Sequence, residues 1–149
     1  MGRPSINERS TRFNDMWSFD GSTWTEMSVT ATPGIRFGSL VAVNPNDGKV
    51  VLFGGLRATS NDEATLIQFY GNDTWVWDGA ASRWTEMHPA SSPTPRQNGG
   101  LDFDPVTGKF MLFGGFAGNF YFSDVWTWDG ENWTPRPETG SPTRRRPSR

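Results

Sequence analysis

Asp15, Asp73 and Asp124 are the carboxylates whose spacing first suggests chemistry, because each stands two residues before a tryptophan in a motif that occurs three times. The stretches are NDMWSFDGSTWTEM (14–27), NDTWVWDGAASRWTEM (72–87) and SDVWTWDGENWTPR (123–136). A general acid and base must occupy different environments within one site, so equivalent aspartates in successive units read as turn or cap groups. His88 is the only histidine, in the loop EMHPA, and the chain has no cysteine. That composition leaves no Cys/His metal cluster and no thiol nucleophile, and a Ser–His base would have no visible orienting partner. GGFAG at 114–118 has the look of a phosphate loop, but such a loop needs a following helix, and NFYFSDVWTW reads as strand. The two Asn-x-Thr sequons, at Asn72 and Asn132, fall inside the repeated motif and carry no further meaning. The sequence therefore predicts no catalytic group, cofactor or metal.

Binding residues are easier to nominate. Arg36 and Arg96 recur at the mouth of the first strand of each unit, and Arg145 follows the same spacing. Guanidiniums in that array would suit a carboxylate or an acidic peptide; equally, recurrence suits ion pairs that tie neighbouring units together. The segment 56–72 is different, because it is 17 residues long where its counterpart 116–123 has 8. It carries Arg57, Asp62, Glu63, Phe69 and Tyr70, and the counterpart carries Asn119, Phe120 and Tyr121. Loops that differ between repeats are where specific contacts tend to lie, so these are the candidate ligand-binding residues, for a protein, peptide or glycan.

The elements that must hold these residues follow from the self-alignment. PGIRFGSLVAVNPNDGKVVLFGG (33–55) matches PTPRQNGGLDFDPVTGKFMLFGG (93–115) at a constant offset of 60, and the tryptophan motifs then match at 51. Trp24 to Pro33, Trp84 to Pro93 and Trp133 to Pro142 are each nine apart, and SPTPR (92–96) returns as SPTRR (141–145). Short apolar runs are bounded by Gly, Pro, Asn and Asp, and no run of helical period stands out, so the chain is predicted to be all-β. Each unit reads as four strands: about 39–43 or 101–103, then 49–53 or 109–113, then 74–77 or 125–128, then one centred on Trp84 or Trp133. Only the last two occur in the first motif, at 16–19 and around Trp24. NPNDGK and DPVTGK supply turns with a glycine suited to positive φ, and three Asp-Gly steps join the third strand to the fourth. All eight tryptophans lie in the outer two strands of these units, in positions that alternate along the strand. A sugar platform would place them on exposed loops, so they are expected to be packing between units.

LFGG, then Asp-x-Trp-x-(Phe/Trp)-Asp-Gly, then a Trp three to five residues on, resembles the kelch repeat over roughly 14–145, and looks most like its tryptophan-rich bacterial form. The resemblance implies β-propeller blades and, usually, a non-catalytic binding module. The copper-radical chemistry of galactose oxidase, whose central domain is of this kind, needs two histidines and a Tyr–Cys thioether, which this sequence does not supply. Proteins of that bacterial form are often exported, yet no apolar export signal is visible in MGRPSINERS and no stretch approaches membrane-spanning length. The chain is thus expected to be soluble, with its compartment left open.

The expected organisation is a lead at 1–13, a half blade at 14–32, complete blades at 33–92 and 93–141, and the start of another at 142–149. Ten strands, two and a half blades, fall short of the four to eight blades typical of a closed propeller. Either more blades lie outside the sequence or chains associate, and an open arc is expected to self-associate. A carbohydrate-active enzyme using the loop carboxylates and a purely structural assembly unit are the alternatives. A formal charge of −2 gives no reason to expect nucleic acid or membrane as partner, and the arginines crowding 144–149 read as a solvated end.

Overall fold

The computed structural model describes residues 12–61 and 64–137. Asp62, Glu63 and the segment 138–149, with Arg145, lie outside the described residues. The described chain is all-β. Its strands are β1 (Trp17–Phe19), β2 (Trp24–Glu26), β3 (Arg36–Phe37), β4 (Leu40–Val43), β5 (Val50–Ala58), β6 (Gln68–Asp78), β7 (Arg83–Met87), β8 (Gly100–Asp104), β9 (Lys109–Phe113), β10 (Phe116–Ala117), β11 (Phe120–Tyr121), β12 (Val125–Trp128) and β13 (Trp133–Pro135). No helix among the described residues is long and apolar enough to cross a membrane.

Four antiparallel sheets result among the described residues. The hairpin β1–β2 stands by itself; β4, β5, β6 and β7 pair in that order, with β3 on the far end of β5; β8, β9, β12 and β13 pair likewise; β10 and β11 form a small hairpin between β9 and β12. Three of the thirteen described strands, β3, β10 and β11, are two-residue pieces absent from the ten expected. The larger difference concerns 56–72. The sequence suggests a loop there, but β5 and β6 run on beyond the sheet as a paired hairpin, with Arg57 opposite Phe69 and Leu56 opposite Tyr70. The β-branched and aromatic content of that extension supports strand pairing that its irregular pattern conceals.

The turns close as their residues dictate. In NPNDGK the Gly48 amide donates to the Asn44 carbonyl at 2.8 Å with φ of 71°, and Gly108 repeats this on Asp104 at 2.8 Å with φ of 69°. In the third-to-fourth-strand turns one aspartate oxygen takes two backbone N–H groups: Asp20 from Ser22 and Thr23, Asp78 from Ala80 and Ala81, Asp129 from Glu131 and Asn132. Such Asx geometry orders the chain locally without help from the core.

Cross-strand partners share a face, so the register fixes what packs where. Leu40, Val51, Phe53, Thr74 and Val76 lie on one face of the first large sheet, whereas Leu52, Trp75, Trp77 and Trp84 lie on the other. Phe103, Phe110, Leu112, Trp126, Trp128 and Trp133 share one face of the second. That face meets Leu40, Val51 and Phe53 to form the main core. Phe53 contacts Trp133 edge-on at 5.3 Å, and Trp133 lies 5.4 Å from Trp128. The Trp133 indole N–H donates to the Thr74 hydroxyl across the sheets at 2.8 Å. Trp75, Trp77, Trp128 and Trp133 are buried, as packing residues should be, but Trp17 and Trp24 of β1–β2 are exposed.

Candidate functional site

Two copies of one ionic frame sit at the end of the large sheets where β3 enters and the long hairpin leaves. Arg36 opens β3, and Asp73 lies on β6, two residues beyond Gly71. The Arg36 guanidinium donates to both Asp73 carboxylate oxygens, at 3.2 and 2.8 Å, and to the Gly54 carbonyl at 3.0 Å, and it also meets the Pro33 carbonyl. The Trp75 indole N–H donates to Asp73 Oδ2 at 2.7 Å. In the second sheet Arg96 repeats the pattern on Asp124, with Nη2 to Oδ2 at 2.9 Å, Nη1 to the Gly114 carbonyl at 3.0 Å and Trp126 to Oδ2 at 2.7 Å. Arg96 is fully buried and its guanidinium stacks over Phe122, 4.0 Å from the ring centre. The ion pairs lie within each unit and do not tie neighbouring units together, contrary to the sequence expectation: Arg36 and Arg96 direct their terminal nitrogens at groups of their own unit.

The spacing explains the geometry. Residues two apart on a strand share a face, so an aspartate two before a tryptophan can accept its indole N–H, and a bidentate arginine completes the carboxylate's coordination. Burial opposes ionisation of Asp73, but hydrogen bonds from Arg36 and Trp75 and the charges of Arg36 and Arg57 outweigh it and hold the carboxyl below its ordinary value. Asp124 behaves likewise: burial raises it, while Arg96 and Trp126 more than compensate. The Asp-x-Trp spacing is the available signal for this role, whereas recurrence alone points to turns or caps.

The double glycines make the frame possible. Gly54 and Gly55 have φ of 60° and 96°, and a β-bulge separates the pairings of Phe53 and Gly55. A side chain on Gly54 would fall 2.6 Å from the Arg96 carbonyl, and one on Gly55 2.9 Å from the Phe37 carbonyl. The bare backbone lets the Gly55 amide donate to the Arg96 carbonyl at 2.8 Å, which seats the second unit's arginine segment against the first sheet.

Beyond the frames the two units diverge. Arg57 lies 3.5 Å from Asp73 and over the Phe69 ring at 5.1 Å, so it is held between a carboxylate and an aromatic face. Phe69 is exposed and Tyr70 half-buried on the extended hairpin; Asn119, Phe120 and Tyr121 are exposed on β10–β11 and its turn. The two hairpins leave the same end of their sheets, and the Arg96–Gln97 segment between them bonds to Gly71 on one side and Phe116 on the other. His88 is exposed. Among the described residues no group of three or more histidine or acidic side chains is placed to hold a metal ion. At the opposite, tight-turn end a crevice of about 340 Å³ opens between the sheets, lined among others by Lys49, Asp78, Arg83 and Asp129. Its Asp78 and Asp129 are committed to their own turns. Comparison with models of known protein families and with curated proteins finds no match for this chain.

Proposed function

We propose that the chain is part of a kelch-type β-propeller, each four-stranded sheet one blade, and that it acts as a non-catalytic interaction module for a peptide, protein or glycan. The ligand meets the end bearing the β5–β6 and β10–β11 hairpins. The observation that carries this reading is the contrast at that end: two matching Arg–Asp–Trp frames hold two unlike hairpins, and the hairpins display Ile67, Phe69, Phe120 and Tyr121 to solvent. A rigid repeated scaffold carrying variable, aromatic loops is how binding surfaces are commonly built. Arg57, stacked on Phe69, adds a cation for a carboxylate or a sugar hydroxyl.

Peptide and glycan arrays probed with the intact chain test the reading. Phe69→Ala, Phe120→Ala and Tyr121→Ala are expected to lower retained signal about tenfold if these are anchor residues. Arrays without hits, or hits indifferent to all three substitutions, would remove the binding surface from this end.

A further inference from the structure

The repeat leaves the two ends of the array with faces that match each other. Within the chain, the face of the second large sheet carrying Trp126, Trp128 and Trp133 packs on Val51 and Phe53 of the first. The positions equivalent to those tryptophans in the first motif are Trp17, Phe19 and Trp24 of β1–β2, and all three are exposed. Trp24 is 62% exposed where Trp133 is 2%. At the other end, the positions equivalent to Val51 and Phe53 are Met111 and Phe113 of β9, on the face away from the core. Phe113 is 57% exposed where Phe53 is 0%.

We infer that a second copy of this chain docks head to tail, the Trp17–Phe19–Trp24 face of one copy against the Met111–Phe113 face of the other. The contact would restate the Phe53–Trp133 edge-on pair as Phe113 against the second copy's Trp24. Large aromatics left open in this way are the usual mark of an unfilled interface. Asp15 accepts the Trp17 indole N–H as Asp73 and Asp124 accept theirs. The arginine of the other two frames comes from the aspartate's own unit, so the case for the contact rests on the two apolar faces. The match is not perfect: Gly100 and Asp102 stand where Leu40 and Ala42 stand, and Val125 replaces the Thr74 hydroxyl, so the tail face is the poorer of the two. Head and tail are different surfaces, so the contact is heterologous and propagates until a ring closes.

Sedimentation equilibrium on the intact chain, with Trp24→Glu and Phe113→Arg, tests this. The wild type is expected to associate reversibly, and each variant alone to weaken association by roughly tenfold or more, as loss of an interface anchor does. An equimolar mixture of the two variants is expected to regain a one-to-one complex, because the intact tail of one meets the intact head of the other. Circular dichroism melts establish folding, and Trp24→Ser and Phe113→Ser replace any charged variant that does not fold. A wild type that stays monomeric at about 100 µM, a concentration at which even weak interfaces are populated, overturns the inference. So does a variant that associates like wild type, or a mixture that remains two monomers.

Discussion

At the scale of the residue, the inter-sheet hydrogen bond between Trp133 and Thr74 is the sharpest commitment the fold makes. Both groups are buried, and each finds its partner in the other sheet. Thr74→Val keeps the shape and removes the acceptor, leaving a buried indole N–H unpaired. The expected cost is about 1–3 kcal/mol, read from denaturant melts. A variant as stable as wild type would mean that water reaches the indole. The sequence marks Trp133 as packing but gives no hint of Thr74, because a threonine at alternating spacing in a strand looks the same whether it faces water or another sheet.

At the scale of the element, legibility follows periodicity. The strands 109–113 and 125–128 fall where the repeat puts them, since alternation and the flanking turn residues agree there. The hairpin extension at Leu56–Tyr70 is not legible as strand, because nothing in the other unit matches it and its pairing depends on where the bulge at Gly54–Gly55 sends the chain. The Arg–Asp frames are half legible: the arginines and aspartates recur visibly, but their pairing joins residues 37 and 28 positions apart. The bulge itself can be tested. Gly55→Ala forces a left-handed φ on alanine and places its Cβ 2.9 Å from the Phe37 carbonyl, so a loss of about 1–3 kcal/mol is expected. Gly21→Ala has open space and only the φ penalty, and should cost less. Equal losses would show that crowding at the bulge contributes nothing.

At the scale of the whole molecule, the two frames make stability depend on acid in a definite direction. Asp73 and Asp124 are both held below the ordinary carboxylate value of 3.8 in the folded protein. A group with a depressed folded pKa contributes stability that is fully present above its unfolded value and is lost as pH falls through its folded value. Melting temperature should therefore be flat from neutrality down to about pH 5 and fall below about pH 4. Asp20, Asp104 and Asp129 shift the same way in exposed turns, so part of the acid slope belongs to them. Asp73→Asn and Asp124→Asn separate the contributions. Each variant keeps an acceptor for its tryptophan but leaves a buried guanidinium without its counter-charge, so each should be less stable than wild type at pH 7. Because each also deletes one titrating group, its acid limb should be shallower by up to about one proton. The difference from wild type then narrows as pH falls, and the curves converge once the wild-type carboxylates are protonated. Parallel curves would mean that the frames carry no net electrostatic stability, and that the sheets are held at this end by the backbone contacts of Gly55 and Arg96 instead.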